Sequence, residues 1–249
     1  AASDVYKRQI TIREKNGTAR VVGKVDRVDG WLHNGKLYLR VVDYKTGKKS
    51  FDLAELRYGL GLQMLLYLFT LKEEGRALFG GQEIVPAGVL YTPAREPMLR
   101  CARDTAPEKI EKARKKELRR SGMVLEDPAV LQAMEHSALT SPCYLPIAVK
   151  KDGAVTGSLA SAEQLGKLSK YVDRLLHEIT QEVFAGNIDA DPYARTPQQS
   201  ACTYCEFASA CHFENGCGSD RMEYIKATKN DEFWQYIDEV NGKEARSDG

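Results

Sequence analysis

His33-Asn34-Gly35-Lys36 sits between two stretches rich in valine, residues 20–32 and residues 37–45. Asn-Gly between apolar runs is the strongest short-range signal for a two-residue hairpin turn, because both central residues need positive φ. Such a turn sets the register of everything beside it. His33 pairs with Lys36, and counting back along both arms sets Asp26 directly opposite Asp43, with β-carbons roughly 5 Å apart. Side chains alternate along a strand, so Lys45 shares the face of Asp43 and Lys24 that of Asp26. In this register Lys24 lies opposite Lys45. Leu37, Leu39 and Val41 lie on the Asp43 side, and Val28 and Leu32 on the Asp26 side, so the two acids extend an apolar face. Asp29 falls on the other face, across from Arg40, which predicts a structural ion pair, and Arg27 reads as structural or as a phosphate contact.

Two carboxylates facing one another repel unless something neutralises them. Lys24 and Lys45 could do so as a structural network. A divalent cation bridging Asp26 and Asp43 would do so more directly, since magnesium takes oxygen ligands and keeps waters for a phosphate substrate. With the acids on a metal, the lysines are left for another anion, and Lys45 can orient a water or stabilise charge on phosphate. The patch suits phosphodiester hydrolysis on these grounds.

Around the hairpin the chain alternates strand and helix signals. Residues 1–9 carry neither, residues 10–14 read as a first strand, and Asn16-Gly17 reads as a turn. Residues 53–74 form one long helix on periodicity, with Asp52 as cap and Gly59 and Gly61 weakening its first half. Gln63 and Tyr67, four apart, present one face of it. They are either a core tyrosine with a buried polar neighbour or a pair reaching the active site or DNA backbone. A strand follows at 84–91, where Pro86 indicates an edge or a late start. A basic helix at 107–121, a short helix near 128–136, a hairpin at 145–158 turning at Asp152-Gly153, and a helix at 162–185 capped by Ser161 complete the core. The basic residues of 107–121 spread around that helix, so a solvated face comes first and phosphate contact second. These elements predict an α/β domain with a mixed sheet.

Composition narrows the class. Hydrophobic residues make up 43% of the 249, and the formal charge is +1, which fits a soluble globular protein with at most a local basic surface. No apolar run is long enough for a membrane span and no secretory signal is visible, so a cytoplasmic location and no membrane partner are expected. The chain does not begin with methionine and reads as a fragment of something longer. No Gly-x-x-x-x-Gly-Lys-Ser/Thr loop occurs, so a motor would belong to another region or a partner. Of the six cysteines, Cys202, Cys205 and Cys211 are clustered at a spacing that suits zinc or an iron–sulfur cluster. On frequency alone zinc leads slightly, with Cys217 or His212 completing a local site.

"GKVDRVD", "VVDYKTG" and "YGLGLQMLLYL", followed by "SGMVLEDPAVLQAM" and "CTYCEFASAC", resemble the RecB-like branch of the PD-(D/E)XK nucleases, nearest the B subunits of AddAB helicase–nucleases. The resemblance implies a restriction-endonuclease-like α/β fold, a mixed central sheet flanked by helices with a C-terminal cysteine loop. It places a nuclease domain at 10–218 and a polar helical tail at 219–249. It makes Asp26 and Asp43 the ligands of Mg2+ or Mn2+, Lys45 the catalytic lysine, and Gln63 and Tyr67 the glutamine–tyrosine motif. It assigns Cys202, Cys205 and Cys211 to a [4Fe-4S] cluster whose fourth cysteine precedes residue 1. It implies DNA and an AddA-like helicase–nuclease motor as partners, in ATP-dependent processing of double-strand breaks. The family's histidine or acid upstream of Asp26 has no counterpart here, and Lys24 inherits no catalytic role. Two other readings stay open: a catalytically silent DNA-binding scaffold and an unrelated zinc-binding structural protein.

Overall fold

A computed structural model describes residues 6–247, with side chains for residues 10–242. In chain order the strands and helices are β1 (Tyr6–Glu14), β2 (Gly17–Val25), β3 (Arg27–His33), β4 (Lys36–Lys45), α1 (Leu53–Arg57), α2 (Gln63–Leu78) and β5 (Glu83–Pro93). They continue with α3 (Pro107–Glu117), β6 (Ser121–Leu125), α4 (Pro128–Met134), β7 (Ile147–Val149), β8 (Val155–Gly157), β9 (Leu159–Ala160) and α5 (Ala162–Ala185). The last are β10 (Tyr193–Thr196), β11 (Gln199–Ser200), α6 (Ala208–Cys211), β12 (Glu223–Tyr224) and α7 (Asn230–Ser247). Of the first nine residues, expected to lack structure, Tyr6 onward is strand, and residues 1–5 lie outside the described residues.

The chain forms two compact units. The first comprises Arg20–Phe51 and Leu62–Val172, with the described residues up to Thr11. Its centre is a five-stranded sheet in the order β3-β4-β5-β6-β9. β3 and β4 are antiparallel, β4 and β5 parallel, β5 and β6 antiparallel, and β6 and β9 parallel. This is the expected mixed sheet. The hairpin turn is the predicted one: Asn34 and Gly35 both have positive φ, 50° and 74°. The ladder pairs His33 with Lys36 and Arg27 with Val42, the register counted from the turn.

Helices cover both faces of the sheet. On one side α2 packs on β4 and β5. Gly75 of α2 is so close to Ile84, the register partner of Leu37, that an added β-carbon would come within 2.7 Å of it. This side carries buried Leu39, Val41 and Asp43. On the other side α4 packs on β6, and Val130 and Met134 line a cleft with Asp29 and Arg40. Burying each large aliphatic side chain here contributes roughly 1.5–3 kcal/mol, which is what holds the helices to the sheet.

The structure corrects the sequence expectations at four places in this unit. The valine-rich arm at 20–32 is two strands, because Asp26 stands in a bend between β2 and β3. β2 pairs with β1 in a separate two-stranded sheet, so Lys24 does not face Lys45. The helix expected over 53–74 is interrupted: Gly59 and Gly61 adopt φ of 74° and 70°, where glycine is at ease and an α-helix cannot continue. Finally, Pro86 lies in a central strand. The register slips there, Leu39 pairing with Pro86 and Arg40 with Gly88, so a bulge absorbs the missing N–H donor.

The second unit comprises Ile12–Ala19, Asp52–Gly61 and the chain from Asp173 onward. Arg195 donates to both Asp52 and Glu55, at 2.5 and 2.9 Å, fixing α1 to β10. His177 and Gln181 of α5 hold Glu14, whose carboxyl is pulled below its usual range chiefly by the His177 hydrogen bond. Ser161 caps α5 as expected. Its hydroxyl accepts from the Gln164 N–H while the Gln164 side chain accepts from the Ser161 N–H, a reciprocal box. Phe233 and Ile237 of α7 are fully buried. The cysteine segment belongs to this unit and consists of turns and the single-turn α6.

Candidate active site

β4 delivers the chemistry because its last three residues alternate across the sheet. Asp43 points inward and is only 8% exposed, Tyr44 points outward, and Lys45 again faces the Asp43 side. The Lys45 Nζ lies 2.6 Å from Asp43 Oδ2, and 5.7 Å from the centre of the Tyr91 ring. Tyr91 is the neighbour of Asp43 on β5. The aromatic face and the carboxylate together hold the ammonium at this end of the strand. The 2.6 Å approach is an ion contact without hydrogen-bond alignment: Asp43 Oδ2 is buried and has no hydrogen-bond donor among the described residues. A buried carboxylate oxygen with only one, poorly aligned, partner is under-satisfied.

Asp26 reaches the same strand end from the bend. Its register position, one residue beyond Arg27–Val42, is opposite Asp43. Its Oδ2 accepts a 3.1 Å hydrogen bond from the Tyr44 backbone N–H, and the side chain is otherwise exposed. One acid is therefore buried and under-satisfied, and the other is held by a main-chain donor at the surface. This donor set suits a hard divalent cation: magnesium needs only one or two carboxylates and fills its remaining positions with waters and substrate oxygens. Among the described residues no three His, Cys, Asp or Glu side chains converge to hold a metal ion. The protein's share of such a site is two carboxylates.

Gln63 and Tyr67 form a unit of their own. Gln63 Nε2 donates to the Tyr67 hydroxyl at 2.9 Å, Gln63 being exposed and Tyr67 buried. Gln63 therefore escapes the cost of an unpaired buried amide. Both residues line a cleft of about 220 Å3 with Val21, Val22 and Gly23 of β2. Gly23, a residue to which sequence reasoning attached no role, is what allows this. A β-carbon there would lie 2.4 Å from the Tyr67 hydroxyl and 2.5 Å from its ring. The available signal was the glycine at the head of "GKVD", inside a strand, where a missing side chain marks close approach of another group.

Lys24 is exposed on β2 and belongs to no ion pair among the described residues. Asp29 is held as predicted. Arg40 contacts its Oδ2 at 2.7 and 2.8 Å, and Arg27 its Oδ1 at 2.6 Å. Burial pushes the Asp29 carboxyl up, but the bonds from Arg27 and Arg40 outweigh this and hold it below the ordinary range. Cys202, Cys205 and Cys211 are free thiols at or near the surface, and they do not form a ligand set in this arrangement.

Comparison with known proteins fits this geometry. The description "PD-(D/E)XK nuclease superfamily" matches residues 3–212. The chain is 33% identical over 227 residues to the B subunit of the ATP-dependent helicase/deoxyribonuclease of Ruminiclostridium cellulolyticum, covering 90% of this chain and 20% of that protein. It is 36% identical over 219 residues to the protein of the same description from Acetivibrio thermocellus, covering 87% of this chain and 19% of that one. The Clostridium botulinum counterpart is 35% identical over 222 residues, with 87% and 19% covered. The chain thus spans about a fifth of the length of the curated relatives it matches. A mixed sheet flanked by helices, an acid and a lysine closing its second strand, and a family match over most of the sequence agree: this chain belongs to the PD-(D/E)XK nuclease superfamily.

Proposed function

We propose that this chain is the nuclease module of a helicase–nuclease of the AddAB kind, within its B subunit, cleaving DNA phosphodiester bonds with Mg2+ or Mn2+. The observation that carries the proposal is the under-satisfied, buried Asp43 oxygen beside Lys45, with Asp26 held at the same strand end. Asp26 and Asp43 would hold the cation. When bound, such a cation polarises the scissile phosphate and lowers the pKa of its water. Asp43 releases the Lys45 ammonium once its own charge is balanced, and Lys45 then donates to the attacking water or to the phosphate oxygen that gains charge. Gln63 and Tyr67, locked together, present a polar edge to the DNA backbone. The nuclease domain runs over 10–218 and 219–249 forms its tail.

In the whole protein this module would work beside an AddA-like motor, in the cytoplasm, trimming broken duplex ends for recombination. The names of the relatives, which pair helicase with deoxyribonuclease in one polypeptide, support that setting. Cys202, Cys205 and Cys211 would bind a [4Fe-4S] cluster completed by a cysteine upstream of residue 1, their spacing being the support. This requires the segment to gather its thiols, which the present arrangement does not do. Anaerobic reconstitution of the full-length protein should give iron and sulfide in equal amounts. One zinc per chain and no iron would assign a structural zinc site instead.

The test of the nuclease reading uses the full-length protein with its motor partner, ATP and labelled linear duplex. Cleavage should require magnesium or manganese and stop in calcium alone. Undiminished cleavage by the Asp43→Ala variant, with any nuclease of the partner inactivated, would refute the mechanism.

A further inference from the structure

We infer that the groove between α3 and the 141–143 segment is a second nucleic-acid site, one that carries a single DNA strand along its backbone to or from the catalytic strand end. The inference rests on DNA being the substrate and adds a path for it. The sequence alone suggested that the basic residues of α3 scatter around the helix. The structure places Lys109, Lys112, Lys115, Lys116 and Arg119 together along one cleft of about 510 Å3. Lys109, Lys112 and Lys116 recur at the three- and four-residue steps that stack on one helix face. All three are exposed, and among the described residues none forms an ion pair. Lys115 is the exception, 3.8 Å from Glu111. No carboxylate lines the cleft.

The groove is built, not a chance crowding of lysines. Arg119 donates to the carbonyls of Leu145 and Ile147 and so ties the end of α3 to the facing segment. That segment is pinned from behind by Glu135, whose carboxylate accepts the backbone N–H groups of Cys143, Tyr144 and Leu145. Burial raises the Glu135 carboxyl, but these bonds win and hold it below its ordinary range, so it stays ionised at neutral pH.

The groove also has a direction. Glu117 closes α3 and is contacted by Arg95 at 3.3 Å and Lys48 at 3.8 Å. Lys48 follows Lys45 by three residues, while Arg95 follows Ala94, whose N–H bonds the Lys45 carbonyl at 2.9 Å. The cationic row thus starts beside the end of β4 and leads away for roughly 10 Å from Lys116 to Lys109. A single row of cations facing an uncharged wall of Ser141, Pro142 and Cys143 matches one phosphate backbone. A duplex, whose major groove alone is about 12 Å wide, does not fit such a cleft. No aromatic side chain lines it to stack a base, so binding here should be indifferent to sequence.

The experiment is fluorescence anisotropy of this chain with a labelled 20-nucleotide single strand, in EDTA, across a salt series. Replacing Lys109, Lys112 and Lys116 by glutamine should weaken binding at least tenfold at low salt. It should also lower the slope of log affinity against log salt by about 2, at about 0.7 for each phosphate no longer neutralised. A control triple, Lys150→Gln, Lys151→Gln and Lys229→Gln, should leave the slope nearly unchanged, and circular dichroism should show all variants folded. An unchanged slope in the first triple, an equal loss in the control, or tighter binding of a duplex affected to the same degree would each overturn the proposal. The nuclease reading fails separately. If the chain shows the slope change but the full-length protein does not cleave with magnesium, the groove stands and the catalytic assignment falls; if that protein cleaves and the slope is unchanged, the reverse holds.

Discussion

Asp29 and Asp43 sit in one hairpin, three ladder steps apart on facing strands, yet their surroundings are opposite. Asp29 has both oxygens bonded to guanidinium groups, two from Arg40 and one from Arg27. Asp43 is the more buried of the two, 11% against 20% by side chain, and has one lysine contact with no aligned donor. Stability alone would favour the reverse, since burying a carboxylate is costly unless its hydrogen bonds are made. A protein that completes one acid and leaves its neighbour incomplete has reserved the second for a ligand. The opposite faces of the sheet explain how both fit: α4 seals the Asp29 side, while the Asp43 side runs out to the end of β4 beside Lys45.

The comparison breaks most visibly at Asp43. Asp43→Ala should lower DNA cleavage by at least about 100-fold, roughly 3 kcal/mol of transition-state stabilisation, while leaving the thermal midpoint unchanged or slightly raised. Loss of activity together with a fall of many degrees in midpoint would make Asp43 a structural acid like Asp29.

Asp29→Ala should do the converse, costing about 2–3 kcal/mol in urea melts because it strands Arg27 and the half-buried Arg40. The pH dependence sharpens this. The folded Asp29 carboxyl titrates below its unfolded value, so its contribution is present above about pH 4 and is lost as pH falls through the folded value. Asp29→Asn should therefore flatten the acid side of the stability profile between about pH 4 and pH 2. A mutant profile parallel to the wild type would show that the pair does not contribute.

Gly23→Ala tests the third member of the arrangement. The new methyl must displace the Tyr67 hydroxyl from Gln63, and a displacement of about 1 Å near a reacting centre costs from tenfold upward in rate. We expect about a tenfold fall in kcat/KM with a stability loss of about 1 kcal/mol. A wild-type rate would remove Gln63 and Tyr67 from the functional set.

The smallest effect belongs to Lys24→Ala. Exposed on the separate β1–β2 sheet, it should change stability by less than about 0.5 kcal/mol and reduce DNA affinity slightly, measured by the same anisotropy assay. A catalytic defect as deep as that of Asp43→Ala would restore the two-lysine patch that the sequence suggested.

Two adjacent residues with positive φ allow only one local conformation, so Asn34-Gly35 alone determined the hairpin, its register and hence the opposition of positions 26 and 43. The same alternation determined that Asp29 meets Arg40, and the reciprocal Ser161–Gln164 cap announced the start of α5. These are local matters of dihedral angle and spacing, and a sequence carries them in full. Only the tertiary structure decided that β2 leaves the sheet at Asp26, because strand pairing depends on which distant segment competes for the edge. It likewise decided that Pro86 enters a central strand through a bulge, that Tyr67 rests on the bare backbone of Gly23, and that the lysines of α3 meet a facing wall tied down by Glu135. Each of these pairs residues far apart in the chain, and their proximity is set by how helices bury their apolar faces against the sheet, which no single segment specifies by itself.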